Sequence, residues 1–162
     1  MVFDYGKVHN LEIYAIAITQ TDEYLFTSDM HGKLKQFNVQ SRDLYKDYGK
    51  IHTRAILAIC CSHDSKYLFT ADMSGNLKQF SILSETIVRE YESVTIGRVT
   101  SIKCTNDNKF MFVSDDNGGL KEYSIADMKK LIDFGAVHKT AIKVVIISND
   151  DKYLYCTDRT GT

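Results

Sequence analysis

The sequence predicts an all-β protein: a β-propeller segment of four-stranded antiparallel blades, about three complete blades plus parts of others in a partial ring. Three observations predict it. Gly32, Gly75, Gly118 and Gly161 recur every 43 residues, and Asp29, Asp72, Asp115 and Asp158 keep the same step. A period in the forties marks a repeat architecture whose units pack mainly on their neighbours. Each unit also holds short runs of β-branched and aromatic residues parted by turns with Asp, Asn and Gly, which are strand and hairpin signals. No segment carries a sustained apolar stripe at helical spacing. Four short strands per unit is the arithmetic of a propeller blade.

Met1–Tyr5 reads as the outer strand of a preceding blade, because Asp4-Tyr5-Gly6 matches Asp47-Tyr48-Gly49 and Asp133-Phe134-Gly135. Three blades follow over 13–48, 56–92 and 99–134, and 142–162 reads as an incomplete one, so that 1–162 is one propeller segment. The first runs are Ile13–Ile18, Ile56–Cys61, Val99–Cys104 and Ile142–Ile147; the second are 24–28, 67–71, 110–114 and 153–157. Both are nearly unbroken apolar stretches, which suits strands covered on both faces. The third runs (33–39, 76–82, 119–125) and fourth runs (43–48, 87–92, 130–134) are more polar and are expected toward the outer rim. An open arc of such blades would leave an apolar blade face for self-association or a partner to cover.

Twenty basic and 21 acidic residues leave a formal charge of -1, so no global field invites nucleic acid or an anionic membrane. No apolar run approaches the roughly 20 residues that span a bilayer. The N-terminus lacks the basic flank and apolar stretch of a signal peptide. Cys60 and Cys61 adjoin and Cys61 shares its repeat position with Cys104, so the cysteines read as reduced thiols rather than a disulfide framework.

The repeats resemble the WD40 family over essentially the whole chain. His9, His52 and His138 follow a glycine by three residues, similar to the family's Gly-His pair with two residues inserted. The stretch from Thr21 to Thr27 is similar to its aspartate followed by a leucine-rich strand. Gly32 to Asn38 resembles the segment ending in Trp-Asp, with Phe37 for the tryptophan; Phe80 and Tyr123 are the equivalents. The resemblance implies a bond from the histidine to a strand hydroxyl and an aspartate. Here the aspartate recurs two residues early, which implies a shifted network, His9 toward Asp29 and His52 toward Asp72. It also implies a cytoplasmic, non-catalytic scaffold for other proteins in larger assemblies, cytoskeletal or ciliary by analogy alone. The alternative is a targeting or regulatory propeller of a larger enzyme, and self-pairing of half-rings is a third expectation.

Cys60-Cys61-Ser62-His63-Asp64 hints at metal, but adjacent strand residues point to opposite faces, so a core role is expected. A histidine in three separate blades suits a repeated local job better than one catalytic base. Asp115-Asp116-Asn117-Gly118 comes nearest to a calcium loop and reads as a turn. Lys33, Lys35, Lys78, Lys103, Lys109 and Lys121 read as a solvated rim, which disfavours nucleic acid. No catalytic group, cofactor or metal is expected. Partner contacts are expected where the repeats differ most: Asn10–Glu12, His31, and residues 40–43, 85–89, 93–98 and 127–130. Tyr14, Tyr45, Tyr91, Thr95 and Arg98 are the candidate contact residues, and the third repeat is the outlier, with Thr95 in the histidine slot.

Overall fold

The structure, a computed structural model, describes residues 4–161. The strand expectation over Met1–Tyr5 therefore lies largely outside the described residues. Tyr5 itself meets Phe37 edge-on at 5.7 Å, just as Tyr48 meets Phe80 at 5.8 Å one repeat later.

All regular structure among the described residues is antiparallel β. The first sheet runs β1 (Ile13–Ile18), β2 (Tyr24–Asp29), β3 (Lys33–Asn38) and β4 (Leu44–Lys50), in that spatial order. The second holds β5 (Ile56–Cys61), β6 (Tyr67–Asp72), β7 (Leu77–Ser81) and β8 (Thr86–Tyr91). The third holds β9 (Val99–Cys104), β10 (Phe110–Asp115), β11 (Gly119–Ser124) and β12 (Lys130–Ala136), and β13 (Ile142–Ile147) pairs with β14 (Leu154–Asp158). Register repeats with the sequence: Leu25 faces Phe37, Leu68 faces Phe80, and Met111 faces Tyr123.

The four first strands lie side by side, β1 on β5, β5 on β9 and β9 on β13, and make the inner wall of a partial ring. The core is therefore not inside any sheet but between sheets. One layer joins Phe26 and Leu34 of the first blade to Ile56, Ile59, Leu68 and Phe80 of the second. The next joins Phe69 and Leu77 to Val99, Ile102, Met111 and Tyr123. A third joins Leu120 to Ile142 and Val145. The outer strands β4, β8 and β12 are mostly exposed, and every residue of β12 is.

Coverage on both faces holds for the middle blades and fails at the arc's two ends. Ile16 is 63% exposed, whereas its repeat equivalents Ile59, Ile102 and Val145 are buried. At the other end Val144, Ile146, Tyr153 and Tyr155 are each more than half exposed. A blade cannot shelter its own face, so burial follows the neighbour rather than the side chain.

Candidate interaction surface

Each β2–β3-type turn is tied by its aspartate. Asp29 Oδ1 accepts the amides of His31 and Lys33 at 2.9 and 3.0 Å. Asp72 does the same for Ser74 and Asn76, and Asp115 for Asn117 and Gly119. The turn glycines Gly32, Gly75 and Gly118 hold φ near +80°, open to glycine at little cost. Their carbonyls accept the amides of Ile51, Val94 and Val137 at 2.8 to 3.0 Å, which clamps each turn to the loop leading into the next blade.

The histidines bind this frame from behind. His9 Nδ1 lies 3.2 Å from Asp29 Oδ2, and its Nε2 lies 2.7 Å from Thr27 Oγ1. His52 repeats the arrangement with Asp72 at 3.2 Å and Thr70 at 2.8 Å. A ring protonated on Nδ1 donates to the carboxylate and accepts from the hydroxyl. The hydroxyl–imidazole–carboxylate order is that of a nucleophile triad. However, Thr27 and Thr70 are buried, so no substrate carbonyl can reach either oxygen. The arrangement is structural. At the incomplete end His138 Nε2 meets Cys156 Sγ at 3.1 Å, and Thr140 donates to Asp158 at 2.9 Å. In the third blade the network is replaced as a unit: Thr95 stands for the histidine and Val113 for the threonine, both buried.

The candidate contact residues do not converge. Tyr45 is half exposed on β4, its ring 5.0 Å from Tyr24. Tyr91 closes β8 and borders a groove of ≈ 350 Å³ with His52, Lys78 and Glu90. Arg98 is exposed and pairs with Asp116 at 3.2 Å. Thr95 corrects the expectation: it is 3% exposed and donates to the Gly97 carbonyl at 2.6 Å, so it shapes its loop rather than touching a partner. The residue that does project from this loop is Ile96, 96% exposed. Leu83, in the β7–β8 turn, is 94% exposed. The available signal was departure from the repeat, since Thr53 and Lys139 stand at the positions equivalent to Ile96.

No three His, Cys, Asp or Glu side chains gather to hold a metal among the described residues. Cys60 and Cys104 are free thiols whose sulfurs lie 3.8 Å apart between neighbouring blades.

The family model described as WD domain, G-beta repeat, matches residues 47–81. No curated protein matches the chain. Among solved structures it is similar to one titled "Crystal structure of RRP9 WD40 repeats", with a TM-score of 0.77 at 18% identity over 83% of this chain and 41% of that one. It is similar also to "Structure of U3-55K", with a TM-score of 0.75 at 18% identity over 83% of this chain and 42% of that one. The chain thus spans about two-fifths of the length of the structures it matches.

Proposed function

We propose that this β-propeller segment, which the WD40 family model matches over residues 47–81, works as a rigid, non-catalytic scaffold that presents loop surfaces to partner proteins. One observation carries the reading: the repeated histidine–threonine–aspartate frame is buried and bonded within the chain, while two large aliphatic residues that break the repeat, Ile96 and Leu83, project into solvent. Asp72, Thr70 and His52 are at most 3% exposed, against 96% for Ile96 and 94% for Leu83. Two fully exposed large aliphatic side chains on turns held by a packed frame suit protein contact, where affinity comes from a few apolar anchors.

The test is site-specific photo-crosslinking from the full chain. A benzoyl-phenylalanine at Ile96 is expected to give discrete protein adducts in cell extract. The same group at Lys109, in a turn that keeps the repeat pattern, is expected to give few. Equal, diffuse adducts from both positions would sink the scaffold reading.

A further inference from the structure

A groove of ≈ 480 Å³ above the first blade is lined by Lys7, His31, Lys33, Lys35 and Lys50 among others. Arg54 borders an adjoining hollow that shares His31 and Lys50. Lys33 and Lys50 sit directly opposite each other in the β3–β4 ladder. Like charges facing across a sheet are destabilising. The other complete blades avoid the conflict: Gly119 faces Ala136, and the Asn76 side chain accepts the Ser93 amide at 3.3 Å.

Nothing in the blade relieves it. Among the described residues, the lysine ion pairs of this blade are Lys35 with Asp47 and Lys46 with Glu85. Asp29, the carboxylate in the groove, already receives His9 and two turn amides. Glu12, next in sequence to the groove residue Leu11, receives the Tyr14 hydroxyl. Lys35 also donates to the Val8 carbonyl at 2.9 Å, a bond that Lys121 repeats to Val94 at 2.8 Å. Lys35 therefore belongs to the repeated frame. Lys7, Lys33 and Lys50 carry no such repeated bond.

We propose that this groove docks an acidic segment of a partner protein, a run of Asp or Glu side chains laid across Lys7, Lys33 and Lys50. The proposal rests on the scaffold reading and gives the chemistry of one partner. Charge complementarity selects the occupant: separated lysine ammonium groups suit a string of carboxylates, whereas a single phosphate favours a convergent guanidinium fork. The groove's lining holds no Phe or Tyr on which a base could stack, which argues against single-stranded nucleic acid.

Fluorescence anisotropy of a labelled octa-glutamate peptide with the full chain tests this. Binding is expected at low salt and should weaken strongly by about 300 mM NaCl, where charges are screened within a few ångströms. The double variant Lys33→Asn/Lys50→Ser installs the residues of the second blade. It should bind at least about tenfold more weakly, with a melting temperature equal to or above that of the unchanged chain. The variant Lys109→Asn should bind as the unchanged chain does. The proposal is overturned if octa-glutamate does not bind, if the double variant binds equally well, or if its melting temperature falls. Tighter binding of oligo-uridine than of the peptide would overturn it too. Loss of peptide binding with Ile96 adducts intact rejects only this groove, whereas loss of the adducts rejects the scaffold.

Discussion

Asp72→Ala is expected to lower stability by roughly 3–5 kcal/mol, the range for leaving the partners of a buried carboxylate unpaired. Asp72 is fully buried and accepts from Ser74 N at 2.8 Å, Asn76 N at 3.0 Å, Asn76 Nδ2 at 3.1 Å and His52 Nδ1 at 3.2 Å. An alanine strands all four donors. Asp115→Ala is the internal control and should cost less, because Thr95 has replaced its histidine partner. Urea melts of the two variants, compared at their midpoints, check the order. The same carboxylate makes stability depend on acid. Burial pushes its pKa up, but the bonds from His52, Asn76 and Ser74 outweigh that and hold it at about 2. A carboxyl depressed on folding contributes fully above its unfolded value of about 4 and loses that contribution as pH falls toward 2. Asp72→Asn should therefore flatten the fall in stability over that window. An unchanged acid profile would contradict the assignment.

Gly32→Ala is expected to cost about 2–4 kcal/mol, from left-handed backbone strain together with a backbone collision. A Cβ there would stand 2.3 Å from the His52 carbonyl oxygen and 2.6 Å from that of Arg54, at φ +80°. Those carbonyls belong to the loop entering the second blade, so the collision would pry two blades apart. Gly49→Ala separates the two causes. It shares a positive φ, +65°, but has nothing within 4 Å, and should cost only about 1–2 kcal/mol. Equal losses in thermal or urea melts would show that the turn can move away and that the clamp is loose.

The blade architecture was legible because a fixed period let four copies vouch for one another. His9 and His52, Asp29 and Asp72, Thr27 and Thr70 recur together, so the shifted network that the family resemblance implied applied to both blades alike. What the period hides is anything decided by register or by a neighbour. Lys33 meets Lys50 only because the β3–β4 ladder slips between Leu34 and Lys35. Asp22, Ser65, Asn108 and Asp151 all take φ of +56° to +59° in the first hairpin turn, a left-handed position held without glycine. Polar turn composition announced the turn there but not its handedness. Thr95 looked like a surface departure because its histidine was missing. In fact Val113 changed with it, and the pair stayed buried. Ile16 reads as core in sequence and is exposed because, among the described residues, no neighbouring blade packs on its face.

Hydrogen exchange of the full chain, read amide by amide, tests the account most directly. A rigid frame with free loops predicts slow exchange at the aspartate-bonded amides of His31, Lys33, Ser74, Asn76, Asn117 and Gly119, alike in all three blades, and fast exchange at Ile96. Turn amides that exchange as quickly as Ile96 would mean that the aspartates hold nothing rigid, and the scaffold would have no fixed surface to offer.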